Sequence, residues 1–249
     1  MIKLFINKIL LLSVLTLSLY GYASVTTIKY EGGISLYGKV AEADVVLKED
    51  LEKGIYKMKI TASSVGLVKT LTSNRVDTFV SEGKIKSGVY SPDKFTKTVT
   101  KNGYLKRIVY TFDHEKRKIL KETYVEKLED VSYYDIAKVK MVTKEKLVKS
   151  SKKKYLDMNE NDFISLYLNL SSGNLKSGEI SYVDQKDSDA VSLINQNSFV
   201  VSKNDAEDIY RINISSDKSL FFAKAVAVDI GFYGDAYVKK VSENISLLD

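Results

Sequence analysis

Residues 95–112 read FTKTVTKNGYLKRIVYTF, and this stretch decides the fold class. Asn102-Gly103 separates two runs of β-branched and aromatic residues, and both central positions of a type I′ turn need positive φ, which Asn and Gly tolerate best. A two-residue turn fixes the register. Phe95 then stands opposite Tyr110 and Thr98 opposite Arg107, with the aromatic pair anchoring the open end of the hairpin. Upstream, Ala41, Ala43, Val45 and Leu47 alternate with Glu42 and Asp44 in KVAEADVVLK. In GIYKMKITA, Tyr56, Met58, Ile60 and Ala62 alternate with Lys57, Lys59 and Thr61. Period two is the pattern of a sheet with one wet face. EDLEKG between these runs is a hairpin connection, and strand patterns continue from Ser24 to about Lys127.

Further along, KVKMVTKEKLVKSSKKK (138–154) carries eight lysines against one glutamate. Val139, Val142 and Val148 predict extended structure ending in a loop, with a frayed helix as the alternative. LDMNENDFISLYLNL is the best helix pattern in the chain. Asn159 or Asn161 is placed to cap it, Glu160 and Asp162 suit the positive end of the helix dipole, and Phe163, Leu166, Tyr167 and Leu170 form a core-facing stripe. SSGNLKSG marks a loop, after which DIYRINIS, LFFAKAVAVDI and AYVKKV resume strand patterns, the second apolar enough for a central strand. Many antiparallel strands, one helix and more strands predict a mainly β fold with one or two helices: a curved antiparallel sheet or partly open β-barrel with a helix packed on it.

The first residues, MIKLFINKILLLSVLTLSLYGYA, follow the order of a secretory signal: Lys3 and Lys8, an apolar run from Ile9 to Leu19, then small residues ending at Ala23. The run is shorter than the about 20 apolar residues of a bilayer span. Residues 1–23 are therefore expected to be removed. That leaves 24–249 as one β-rich domain, exported to the periplasm and lacking a transmembrane segment, with sheet-forming halves at about 24–127 and 171–249 joined by the lysine-rich segment and the helix. The chain has no cysteine, which excludes a disulfide framework, thiol catalysis and lipoprotein anchoring through a modified cysteine. The formal charge of +6 is carried by lysine, since Arg75, Arg107, Arg117 and Arg211 are the only arginines. Nucleic-acid readers rely on arginine for bidentate contacts, so no nucleic-acid partner is expected.

Residues able to support chemistry are few. His114 is the only histidine and adjoins Asp113 in the charged connection DHEKRK, where Asp and His suit a tight turn. No Gly-x-Ser-x-Gly elbow accompanies it. NENDF and DQKDSDA are acidic but lack the spacing of a calcium loop, so no metal or other cofactor is expected. Gly32-Gly33 lacks the lysine and serine of a phosphate loop and fits a bulge or turn in a β-segment. Paired carboxylates suffice for glycoside hydrolysis, which keeps an envelope hydrolase as an alternative, although the absence of tryptophan removes the commonest sugar-stacking platform. Lys149, Lys152, Lys153 and Lys154 form the candidate patch for an anionic surface, worth about 1 kcal/mol per lysine close to anionic head groups. The alternative is a solvated, self-repelling segment.

Several stretches together resemble the exported bacterial proteins grouped as the domain of unknown function 3108 family. They are YEGGISLYGKVAEADVVL; GIYKMKITASSVGLVKTL with Tyr56 and Gly66; VSEGKIKSGVYSPDKF with Gly83 and Pro92; YTFDHEKRKI with Phe112 and Asp113; NDFISLYLNL with Asp162 and Ser165; and LFFAKAVAVDIGFYGDAYVKKV. The resemblance implies a β-rich, partly open barrel-like sheet in which these motif residues are structural, and it implies no activity. The lysine-rich region is longer than the family pattern, and Asn169 stands where the helix often ends in arginine. These readings lead to the expectation of a non-catalytic exported protein that binds a lipid or other amphipathic ligand, or envelope protein partners.

Overall fold

The computed structural model describes residues 23–34, 37–137, 139–172, 179–182, 189–195, 198–202, 209–216, 223–229 and 235–248. The expected signal, apart from Ala23, and all of DQKDSDA except Asp189 and Ala190 lie outside them. The first strands are β1 (Ala23–Ile34), β2 (Gly38–Asp50) and β3 (Ile55–Ser64), followed by the short helix α1 (Gly66–Leu71). Next come β4 (Val76–Lys86), β5 (Val89–Lys101), β6 (Tyr104–Asp113), β7 (Lys118–Asp135), β8 (Lys140–Asp157) and helix α2 (Phe163–Ser171). The remaining strands are β9 (Glu179–Tyr182), β10 (Asp189–Asn195), β11 (Ser198–Ser202), β12 (Ile209–Ser216), β13 (Ala223–Asp229) and β14 (Asp235–Leu248). All belong to one antiparallel sheet in the order β8-β7-β6-β5-β4-β3-β2-β1-β14-β13-β12-β11-β10-β9. Pairing of β1 with β14 ties the beginning of the chain to its end. Among the described residues β8 and β9 are separate edges, so the sheet is not closed. Among the described residues the fold is mainly β with two helices, within the one or two that the sequence predicts.

The hairpin of β5 and β6 has the expected register. Phe95 pairs with Tyr110 and Thr98 with Arg107, and the two rings stack with centroids 5.9 Å apart. Its turn differs from the expectation. Gly103 has φ +67°, but Asn102 is not in the left-handed region, so the turn is not type I′. Neighbouring chain holds it: Asn102 N–H donates to the Ser73 carbonyl at 2.9 Å, and Leu128 N–H to the Gly103 carbonyl at 2.8 Å. Gly32-Gly33 lies at a bulge in the β1–β2 pairing, and a Cβ on Gly33 would meet the Tyr237 ring at 2.3 Å.

One face of the sheet carries the core. Ile28, Leu47, Met58, Phe95, Ile108, Tyr110 and Ile119 are buried there together with Ile164 and Leu168 of α2. Helix α2 lies against β4 and β5. Two sequence expectations need correction. The helix stripe is rotated: Phe163 is 44% exposed, whereas Ile164 and Leu168, one turn apart, are fully enclosed, because a short helix seated on a sheet buries more than one stripe. The lysine-rich segment does not end in a loop. It stays extended to Asp157 as β8, zipped to β7 from Lys118↔Asp157 to Asp135↔Lys140, since cross-strand pairing with β7 overrides the weak local signal.

Candidate functional site: a buried polar latch and a lysine-bearing face

Beneath α2 lies a polar cluster assembled from three distant parts of the chain. Asp162 caps the helix: its Oδ1 accepts from the N–H groups of Ile164 at 2.7 Å and Ser165 at 2.9 Å. Ser165 Oγ returns the contact by accepting from Asp162 N–H at 2.9 Å. This is a capping box with serine in the place usual for glutamate, and it replaces Asn159 and Asn161 as the expected cap. Asp162 Oδ2 accepts from Ser81 Oγ of β4 at 2.6 Å, and Tyr56 of β3 donates its hydroxyl to Ser81 Oγ at 2.9 Å. Asp162, Ser81 and Ser165 have no exposed surface. Burial pushes the Asp162 carboxyl up to about 6, with its hydrogen bonds to Ser81, Ser165 and Ile164 pulling the other way. Burial likewise holds the Tyr56 and Tyr90 hydroxyls above the usual tyrosine range.

A second contact fixes the other end of α2. β6 pairs with β5 only from Lys94 onward, which leaves the backbone of Tyr90 to be satisfied in another way. Asn169 does this with its carboxamide: Oδ1 accepts from Tyr90 N–H at 2.8 Å, and Nδ2 donates to the Tyr90 carbonyl at 2.8 Å. The amide thus stands in for the next strand. Along the same edge His114 Nε2 lies 3.0 Å from the Pro92 carbonyl oxygen and 3.4 Å from Asp93 Oδ1. Asp113 accepts from Lys116 N–H at 2.9 Å and pairs with its ammonium at 2.9 Å, which holds its carboxyl below the usual range. Gly83 pairs with Pro92 across a bulge, where a Cβ on Gly83 would fall 2.1 Å from the Ser91 carbonyl oxygen. Phe112 is buried in the core and stacks on His114. Gly66 opens α1 with φ +59°.

The cluster therefore gathers Tyr56, Asp162 and Ser165, while Gly83, Pro92, Phe112 and Asp113 shape the neighbouring strand ends and Gly66 lies apart. Ser81 and Asn169 are the members that local pattern did not single out as partners. A serine alternating with Phe79 on the apolar face of β4 was the only signal for Ser81. Chemically, the cluster pins a helix to a sheet. All three polar links of the Asp162 carboxylate are made within the protein, and no side of Ser81 reaches solvent.

The four lysines of the sequence patch divide between two faces, because side chains alternate along a strand and directly paired residues share a face. Lys149 and Lys153 lie on the face away from α2, paired with Glu126 at 2.7 Å and Glu122 at 2.6 Å, and each carboxylate raises its lysine's pKa. Lys152 and Lys154 lie on the helix side. There the register adds Lys97, Lys101, Lys106, Lys121 and Lys127 from β5, β6 and β7. Between the Phe112–Ile119–Leu156 row and the Tyr104–Lys127–Val148 row this face of β5–β8 bears no carboxylate; the next position of β7 on this face, Glu129, pairs with Lys127. Three ammonium groups rest on rings of the same face: Lys97 on Phe79 at 5.4 Å, Lys101 on Tyr104 at 5.0 Å and Lys121 on Tyr110 at 5.4 Å. Sequence spacing could not show this segregation, which arises from cross-strand pairing.

Among the described residues no group of three His, Cys, Asp or Glu side chains is placed to hold a metal ion, and no helix is long and apolar enough to cross a membrane. No family model matches the chain, and no curated protein matches it. A solved structure from Brucella abortus, described as a beta-barrel-like protein of domain of unknown function DUF1849, is similar at 12% identity and a TM-score of 0.38, covering 91% of this chain and 99% of that one.

Proposed function

We propose that this is an exported, non-catalytic member of the domain of unknown function 3108 family that attaches to phosphate-bearing components of the cell envelope through the helix-side lysines of β5–β8. The observation that carries the reading is the sorting of charge. Lys152 and Lys154 lie in a carboxylate-free stretch of the helix-side face with lysines of three other strands, while the carboxylates Glu122 and Glu126 take the opposite face. Self-repulsion among such ammonium groups disfavours the isolated fold and is relieved by an anionic partner. A surface mode also agrees with the packing: Ile164 and Leu168 fill the space beneath α2, where an apolar ligand would otherwise enter. The reading as non-catalytic is supported by the enclosure of Asp162 and Ser81 and by the edge-closing role of His114.

Two double variants equal in charge change test it. Lys152→Gln with Lys154→Gln, and Lys149→Gln with Lys153→Gln, alter opposite faces of one strand. On vesicles containing phosphatidylglycerol at low salt, the first pair should weaken binding several-fold and flatten its salt dependence, at about 1 kcal/mol per lysine near the surface. The second should change it little. Equal effects from both pairs, or binding indifferent to salt, would refute the reading.

A further inference from the structure

We infer that the part of the β7–β8 hairpin overhanging the rest of the sheet is a lipid-inserting finger, a proposal that deepens the envelope-binding reading by naming a membrane as the surface. β6 ends its pairing with β7 at Tyr104↔Lys127, yet β7 and β8 continue together to Asp135↔Lys140. At about 3.3 Å per residue the two-stranded overhang reaches roughly 25 Å. Its end, YDIAKVKM, exposes large apolar side chains between Asp135, Lys138 and Lys140 of the sequence: Tyr134 55%, Ile136 83%, Val139 74% and Met141 61%. Folding a soluble tip gives no reason to place these residues there. Val139 adds a second, independent sign. It holds φ +50°, a left-handed conformation that suits Gly or Asn and is strained for a β-branched residue. The tip thus carries an exposed β-branched side chain at a backbone cost.

The occupant follows from shape and charge. A narrow projection that exposes apolar groups on both faces is matched by a fluid that closes around it, and not by the flat patch a protein partner would present. Interfacial segments bury such groups about 5–10 Å deep, and tyrosine favours that boundary. Behind the tip, Lys140, Lys144 and Lys146 lie on the helix-side face, with Glu129 directly across from Lys146 and Asp135 the register partner of Lys140. Asp130 and Glu145 pair on the other face. The finger should therefore lean with its lysine face toward anionic head groups. The two ends of β7 differ, because the β6–β7 connection at the opposite end, DHEKRK, carries no large apolar side chain.

The chain has no tryptophan, so a single introduced indole reports its own surroundings. In Ile136→Trp, mixing with phosphatidylglycerol vesicles should shift the emission to the blue, and brominated lipid should quench it. Tyr155→Trp, at a 72% exposed position near the other end of β8, should show neither change. Ile136→Asp with Val139→Asp should cost about tenfold or more in vesicle affinity, while circular dichroism and binding to soluble polyphosphate stay as in the parent. An unshifted, unquenched Ile136→Trp signal on protein that still sediments with vesicles would overturn the finger and leave the lysine reading standing. The same null signal with oligomers or a protein complex forming through the tip would assign it to protein contacts instead. Loss of the lysine effect alongside a quenched tip would do the reverse.

Discussion

Replacing Asp162 by asparagine tests the buried latch most directly, because the substitution removes a titration while keeping an oxygen to accept from the N–H groups of Ile164 and Ser165. The wild-type carboxyl titrates near 6 in the folded protein against 3.8 in an open chain, and burial is the largest cause. A carboxyl whose folded value is raised favours the folded state while protonated. Its contribution is fully present below pH 3.8 and is lost as pH rises through 6. At 1.36 kcal/mol per pH unit the difference of about 2 units corresponds to about 3 kcal/mol. Stability of the wild type minus that of Asp162→Asn should therefore fall by about 3 kcal/mol in all, most of it between pH 4 and 7. For a domain of this size that is roughly 6–12 °C in Tm. Urea unfolding of both proteins across this pH range provides the assay, and subtracting one from the other removes the remaining titrating groups. A flat difference would mean that the carboxyl is not desolvated. A difference rising with pH would mean that its hydrogen bonds outweigh burial, reversing the sign used here.

Three further outcomes are expected. Asn169→Ala leaves the N–H and carbonyl of Tyr90 without partners and should lose about 2–4 kcal/mol in denaturant unfolding; a loss under about 1 kcal/mol would show that another group already satisfies that edge. Gly83→Ala places a Cβ 2.1 Å from the Ser91 carbonyl and should destabilise by about 1–3 kcal/mol, whereas an unchanged Tm would mean that the β4–β5 bulge relaxes freely. Val139→Gly relieves the left-handed strain and should raise stability by about 1 kcal/mol while weakening vesicle binding. A lower Tm in that variant would contradict the strain argument.

Two of the polar side chains that hold α2 in place show how context decides a role. The sequence pattern placed a helix start here but assigned the cap to Asn159 or Asn161, whereas Asp162 and Ser165 form the capping box within four consecutive residues. Their link to Ser81, 81 positions from Asp162, required the sheet to bring β4 under the helix. Asn169 had no local meaning until β6 ended short of Tyr90 and exposed a strand edge for its amide to cover. The turn at Asn102-Gly103 illustrates the converse. Local preference favoured two left-handed residues, but contacts from Ser73 and Leu128 on the flanking chain selected another geometry with the register unchanged.

Alternation and spacing along single segments determined by themselves that this chain forms antiparallel strands, where the Phe95–Tyr110 hairpin is registered and that a helix lies in NDFISLYLNL, because each rests on a few residues along one segment. Which face each lysine occupies was decided only by the tertiary structure. In a strand the neighbours that set a side chain's electrostatic surroundings lie across the sheet, so four lysines within six residues of sequence became two ion-paired groups on one side and part of a carboxylate-free stretch on the other.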